Sequence, residues 1–420
     1  MKVISQFTDF IQWIENLPAQ TLSEADKLRC LKKTRLLLSQ HQLLPKIPVI
    51  TVTGTNGKGS TVHALASLLI ASGYRVGCMT SPHLFSYTER FSIDLQPVSE
   101  QAILNAVNRL AHLIELNQFN FAYILFLIGL YLFQQANLDI LILEVGLGGR
   151  LDPSNALDAD LIILTQVALD HTHLLGNTRE SIGKEKAGLL RKNQIFICGD
   201  ANPPATVIQQ ANQLNCQSFW LNQQFGFFMH QTYWNLWLPD RMLCSLRKPL
   251  MHSSNIACAV LAASKIKNIA LNQEQLSLLT SLQLPGRRQT FYYRGCEIIL
   301  DVAHNPAAVQ YLADYLKTLP PNPNTFALFG AMADKDIPQM LEIMSPIIHT
   351  WWLTDVPGKR AAPAHDIAQH LSTSSPIKSF NSAKQACEDI LTFASAGSRI
   401  IVFGSFLLVE NLLALLSSKA

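Results

Sequence analysis

The sequence has no apolar run long enough to cross a membrane. Its longest, residues 121–133, carries no polar side chain except the hydroxyls of Tyr123 and Tyr131, whereas a span needs about 20 apolar residues. A buried helix is expected there, and no membrane partner. The N-terminal segment holds Asp9 and Glu15 inside its apolar periodicity and lacks a small-residue cleavage site. It therefore reads as an amphipathic helix and not as an export signal. Charge is also scarce: 15% of residues are charged and the net charge is +3, against 48% hydrophobic residues. Such a balance excludes a disordered chain and a general nucleic-acid binder, which needs a strong positive field. The 8 cysteines form no C-x-x-C pair and no His/Cys cluster at zinc-finger spacing, so reduced thiols and a cytoplasmic location are expected. Internal repeats and low-complexity tracts are absent.

A chain of 420 residues exceeds the roughly 250 to 300 residues at which single cores stop growing, so two domains are expected. Apolar runs alternate with helical patterns, the signature of βαβ units around a mostly parallel sheet. Strands are predicted at 48–53, 76–80, 139–145, 161–166 and 194–198, with helices at 59–72, 99–117, 119–135 and 179–190 between them. Residues 217–248 break the rhythm with closely spaced aromatics and read as antiparallel strands appended to the first sheet. A second α/β series follows Leu284-Pro285-Gly286-Arg287-Arg288. The predicted fold class is α/β, with an ATP-binding P-loop domain over 1–288 and a smaller Rossmann-like domain over 289–420.

The sharpest local signal is Val52-Thr53-Gly54-Thr55-Asn56-Gly57-Lys58-Gly59-Ser60-Thr61, a strand end, a glycine-rich turn with one lysine, and a helix start. Successive N–H groups in such a turn wrap phosphate oxygens, the helix dipole adds positive potential, and Lys58 places a charge on the terminal phosphates. The strict G-x-x-x-x-G-K-[ST] pattern is not met, because Val52 holds the first glycine position and Gly59 precedes Ser60. Glu144 ends another apolar strand just before Gly146-Leu147-Gly148-Gly149, at the sheet edge where α/β ligands bind. Ser81-Pro82-His83 and Asp170-His171-Thr172-His173 follow two further strands. Oxygen ligands with one imidazole suit Mg²⁺ or Mn²⁺ held jointly with phosphates. Lys184-Glu185-Lys186, taken alone, reads as a solvated charged face. In the second domain, Asp301 and His304 leave a strand end and Arg287 lies at the domain boundary, residue types suited to nucleotide contact. Residues 330–336 and Gly404-Ser405 form the same kind of strand exit.

Taken in order, Gly54 to Ser60, Ser81-Pro82-His83-Leu84 with Tyr87-Thr88-Glu89-Arg90, residues 143–152, residues 170–176, Glu185-Lys186-Ala187-Gly188, residues 284–287, and Asp301 with residues 303–306 resemble the motif set of the folylpolyglutamate synthase and dihydrofolate synthase family, a branch of the Mur ligases. The match extends over residues 47–405. The resemblance implies an ATP-dependent ligase that activates a pteroate or folate carboxylate as an acyl phosphate, which L-glutamate then displaces. It implies that Thr55, Asn56, Gly57, Lys58, Gly59 and Ser60 hold ATP phosphates, and that Asn255, Arg287 and Asp301 contact ATP with His304 near its phosphates. Ser81, Glu144 and His171 would bind magnesium, with two ions expected, and Lys186 would be a carbamylated lysine. Lys58, Glu144, His171, Lys186 and His304 are the implied catalytic set. The implied substrate pocket comprises Asn120, Phe121, Ala122, Tyr123, Leu151, Asp152 and Pro153.

One segment departs from the family pattern. Where similar bifunctional enzymes have a Glu in an aromatic run lining the pterin pocket, this chain has Tyr123, so Tyr123→Glu is expected to tighten dihydropteroate binding. Alternatives to a bifunctional folate ligase are a related Mur-type ligase acting on another carboxylate and a nucleotide-binding regulator without catalysis. The expected partners are small molecules alone, namely dihydropteroate or folate, L-glutamate and ATP, with the chain a monomer.

Overall fold

The computed structural model describes residues 3–17, 23–117, 119–266, 269, 271–358, 360–371, 376–393 and 395–417. The chain divides into two compact units, Met1–Val167 with Leu175–Leu282, and Ala168–Leu174 with Gln283–Ala420. The division thus falls just before the Leu284-Pro285-Gly286 punctuation. It also assigns one short loop from the first half of the sequence to the second unit.

In the first unit the strands are β1 (Val49–Thr53), β2 (Val76–Met79), β3 (Phe91–Ile93), β4 (Gln96–Pro97), β5 (Ile140–Glu144), β6 (Leu161–Leu164), β7 (Ile195–Cys198) and β8 (Gln217–Trp220). They form one sheet in the order β4-β3-β2-β5-β1-β6-β7-β8. The run from β2 to β8 is parallel, while β3 and β4 add an antiparallel edge. β1, β5 and β6 read VITVT, ILILE and LIIL and are buried along their whole length, as strands covered by helices on both faces must be. Their register pairs Val52 with both Glu144 and Ile163, so Thr53, Glu144 and Leu164 leave the sheet at one carboxyl edge.

The apolar run forms the helix Phe121–Gln134, with residues 123–130 all buried. Among the described residues, no helix is long and apolar enough to cross a membrane. The aromatic stretch after β7 resolves into two kinds of strand. β8 extends the first sheet in parallel, and β9 (Gly226–Met229), β10 (Tyr233–Trp237) and β11 (Met242–Arg247) make a separate antiparallel sheet. β10 buries Trp234 and Leu236 and turns Tyr233, Asn235 and Trp237 outward, the alternation of a sheet covered on one face only.

The second unit holds β12 (Gln289–Tyr293), β13 (Cys296–Leu300), β14 (Thr325–Phe329), β15 (Thr350–Thr354), β16 (Ile377–Phe380) and β17 (Arg399–Phe403) in the order β12-β13-β17-β14-β15-β16. Only the hairpin strand β12 runs antiparallel. Phe329, Trp351 and Phe403 meet in its core, with ring centroids 4.9 to 6.3 Å apart.

Candidate functional site

Between β1 and the helix Lys58–Ala71, the glycine-rich turn packs too closely for side chains at two points. Gly54 has φ +148° and any Cβ there would overlap Thr165 Oγ1; Gly57 has φ +84° and a Cβ would lie 2.5 Å from the Asn255 carboxamide. Asn255 is therefore seated against the turn. Thr165 Oγ1 donates to Asn56 O at 2.6 Å and Thr55 N to Gln166 O at 2.8 Å, which tie the turn to the segment after β6. Gly57 occupies the N-cap and offers no capping side chain, leaving first-turn amides available to an anion. Lys58 Nζ donates to Gly54 O at 3.2 Å and Thr55 O at 3.1 Å, so its charge sits over the turn.

Glu144 is buried at the end of β5. One oxygen accepts from Ser81 N at 3.1 Å and lies 3.4 Å from where a Gly59 Cβ would sit, which places the carboxylate beside the cradle. Around Gly146, a Cβ would meet Asp152 Oδ2 at 3.5 Å and Ser81 Oγ at 3.6 Å. A hard divalent cation fits this oxygen-only donor set, since magnesium commonly takes one or two protein oxygens and completes its shell with phosphate and water. Among the described residues no group of three or more His, Cys, Asp or Glu side chains forms a cage of its own.

Lys186, a solvated charge on the reading of its neighbours alone but turned away from solvent on the family resemblance, is 4% exposed, while Lys184 is exposed. The helix Arg179–Ala187 buries Ile182, and a residue four positions on shares that face. Lys186 Nζ donates to Gly54 O at 2.9 Å, so it reaches the same carbonyl as Lys58.

The segment expected to line a pterin pocket is placed less uniformly. Asn120 caps the helix Phe121–Gln134, accepting from Ala122 N and Tyr123 N. Tyr123 is 1% exposed; its ring stacks on Phe119 at 5.8 Å, and its hydroxyl lies 3.1 Å from Lys27 O and 3.3 Å from Leu151 O. A stacking face and a hydroxyl already engaged in the core are not offered to a heterocycle, and a carboxylate at 123 would face two carbonyl oxygens. Phe121 differs, half-buried 6.4 Å from the Tyr87 ring, with the Arg90 guanidinium 5.5 Å from its centroid. Arg90 Nε donates to His83 Nδ1 at 2.8 Å. Burial, with Arg90 adding to it, pulls the His83 imidazole down to about 4. Asp152 accepts from Gly146 N, Leu147 N, Ser154 N and Ser154 Oγ, which shapes the loop containing Leu151 and Pro153. Sequence reading assigned no role to Arg90 or His83. Arg90 was signalled only by its place in the resembling motifs, and His83 also by the Ser81-Pro82-His83 exit that follows a strand.

In the second unit, Asp301 accepts from Arg288 N at 3.0 Å and Ala303 N at 2.8 Å; burial raises its pKa against the pull of Arg287. Phe406 gathers Arg287, whose guanidinium is 5.0 Å from its centroid, and His304, 5.7 Å away ring to ring. His304 Nδ1 donates to Val302 O at 2.8 Å, since a carbonyl can only accept. His171 lies with this unit. Burial lowers its pKa to about 4 despite the neighbouring Asp170, leaving a neutral imidazole with the lone pair a metal ligand needs.

Residues 286–406 match the family described as Mur ligase, glutamate ligase domain. Over 99% of its length the chain is 34% identical to the dihydrofolate synthase/folylpolyglutamate synthase of Escherichia coli (strain K12), covering 96% of that protein. The chain belongs to this family. Its structure is similar to that of E. coli FolC in complex with DHPP and ADP, with TM-score 0.90 and 33% identity, covering 100% of this chain and 99% of that one. It is similar as well to the bifunctional folylpolyglutamate synthase/dihydrofolate synthase of Yersinia pestis complexed with AMPPNP and Mn ion, with TM-score 0.91, 33% identity and 99% of each chain covered. The two-unit α/β architecture is thus that of dihydrofolate synthase/folylpolyglutamate synthases and their Mur ligase relatives.

Proposed function

We propose that this chain is an ATP-dependent ligase that joins L-glutamate to dihydropteroate and to the glutamyl chain of tetrahydrofolate. The observation that carries the reading is the Gly54 to Ser60 cradle with the buried Glu144 carboxylate beside Gly59, in a chain of this family. Thr55, Asn56, Gly57, Lys58, Gly59 and Ser60 hold the ATP phosphates, with Asn255 packed against Gly57. Arg287 and Asp301 contact the nucleotide, and His304 stands near its phosphates.

An oxygen of the substrate carboxylate attacks the γ-phosphorus and ADP leaves. The glutamate amine then attacks the acyl carbon, phosphate departs and the nitrogen loses a proton. The acyl phosphate forms from a weak nucleophile, so in-line positioning and neutralisation of charge dominate. Lys58 supplies a fixed positive charge at the turn. Ser81, Glu144 and His171 would hold Mg²⁺, in one or two ions, which supplies charge neutralisation at the phosphates when bound.

Lys186 is the candidate carbamate. Carbon dioxide adds to a neutral amine, the nitrogen releases one proton, and the side chain becomes an anion able to ligate a cation. The product nitrogen keeps one N–H, so the bond to Gly54 O is compatible with the modification. On the folate side, Phe121 is the residue of the 120–123 segment with an accessible ring, next to Leu151, Asp152 and Pro153 of the following loop. The protein is read as a cytoplasmic monomer. ADP release measured side by side with dihydropteroate, tetrahydrofolate and a muramyl substrate, each with its amino acid, tests the assignment. Release dependent on a folate acceptor and L-glutamate is expected; release with the muramyl substrate alone would overturn it.

A further inference from the structure

We propose that Asp170 is the positioning residue for His171 and that Lys335 anchors it, so that the metal-side histidine is carried by the second unit. The proposal rests on the reading of His171 as a metal ligand. After β6 the chain leaves the first sheet, and Ala168–Leu174 packs as part of the second unit. Asp170, 9% exposed, is the hub of that packing. Its Oδ1 accepts from Lys335 Nζ at 2.6 Å and from His171 N at 2.8 Å. Its Oδ2 accepts from Asn305 Nδ2 at 2.9 Å and lies 3.5 Å from His304 Nε2. Donors from three separate segments thus hold one carboxylate.

His171 needs such a hold. Its φ of +49° lies in the left-handed region, which a residue with a Cβ occupies only when its surroundings impose it. The Lys335 side chain is 7% exposed, and a buried ion pair contributes little net stability compared with apolar packing. Positional specificity is the remaining advantage of keeping one. The same carboxylate touches the loop of His171 and the turn of His304, so it fixes the metal-side and phosphate-side histidines of this unit in one frame. Groups that orient metal ligands typically change metal affinity 10- to 100-fold when removed.

The test is Mn²⁺ titration, followed by electron paramagnetic resonance, of the full chain loaded with a non-hydrolysable ATP analogue. It compares wild type with His171→Ala, Asp170→Asn and the charge-neutral Asp170→Asn/Lys335→Met, each with a thermal melt. His171→Ala should weaken Mn²⁺ binding, and both Asp170 variants should weaken it by about tenfold or more. The double variant should recover melting temperature lost in Asp170→Asn without recovering Mn²⁺ affinity, a split that a purely structural ion pair would not produce. Wild-type affinity in either folded Asp170 variant, with His171→Ala still impaired, overturns the positioning role alone. An unimpaired His171→Ala overturns the ligand reading of His171 and the proposal with it. Hydrogen exchange on the wild type gives a check independent of variant folding. Residues 168–174 should be protected alongside 301–306, and free exchange there would refute the clamp.

Discussion

Asp152 in the first unit and Asp170 in the second are equally buried, each 9% exposed, yet their surroundings favour opposite protonation behaviour. Asp152 is ringed by neutral donors, three backbone amides and the Ser154 hydroxyl. Burial pushes its carboxyl above the ordinary range, and these donors only partly oppose it. Around Asp170, burial pushes the same way, but the His304 hydrogen bond and the Lys335 charge together outweigh it and hold the carboxyl well below its usual range. The first unit shapes its loop with that loop's own dipoles, whereas the second brings the Lys335 ammonium, Asn305 and His304 to one carboxylate from segments far apart in the chain. A dipole cage forms wherever its loop forms. The charge cluster exists only if the whole unit does.

Two lysines separate these designs most strongly. Lys58→Ala removes a charge that sits over backbone carbonyls, so turnover should fall about 10³-fold or more while the melting temperature stays near that of wild type. Steady-state assay beside a thermal melt checks both halves. Lys335→Met removes a cation from a buried pair and strands Asp170, which should cost about 3 to 5 kcal/mol of stability in denaturant unfolding. A loss under 1 kcal/mol would mean that the pair is hydrated in solution.

The pH dependence follows from the same contrast. A carboxyl whose folded pKa is depressed contributes stability above its unfolded value, and that stability is lost as pH falls. For Asp170, with an ordinary value of 3.8, the gap in melting temperature between wild type and Asp170→Asn should be widest near neutrality and shrink below about pH 4. For Asp152 the raised pKa works in the other sense, favouring the fold at low pH and lost as pH rises. Asp152→Asn should cost about 1 to 3 kcal/mol, because an amide cannot accept from donors on both sides at once. Circular dichroism melts would show it. The smallest effect is expected for Tyr123→Phe, at about 1 kcal/mol with the KM for ATP unchanged, since the hydroxyl serves only the carbonyls of Lys27 and Leu151. A raised dihydropteroate KM there would instead put Tyr123 in the pocket wall.

Local pattern was enough to read the strand, glycine turn and helix around Lys58, the apolar strand ending in Glu144 and the alternating α/β series. Each is dictated by short-range sterics, glycine at positive φ or unbroken apolar runs, which neighbours in sequence specify. The antiparallel strands in residues 217–248 were legible, but that β9 to β11 form a sheet of their own and do not extend the first was not, because strand pairing partners are chosen by tertiary packing. The burial of Lys186 was expected from the family resemblance alone, since its flanking charges by themselves read as a solvated face; the helix turns Ile182 and Lys186 inward. Asp170 stood in plain view after an apolar strand, but nothing local selects Lys335 from 33 lysines and arginines. By itself the sequence determined which loops emerge at the carboxyl edge of each sheet and which residue types they present there. Only the tertiary structure decided that Tyr123 faces the core, that Lys58 and Lys186 meet at one carbonyl, and that the His171 loop packs with the second unit. Those outcomes depend on contacts between segments far apart in the chain, 96 residues for Tyr123 and Lys27, 132 for Lys186 and Gly54 and 165 for Asp170 and Lys335, where Coulomb forces and packing act through space and leave no periodicity in the chain.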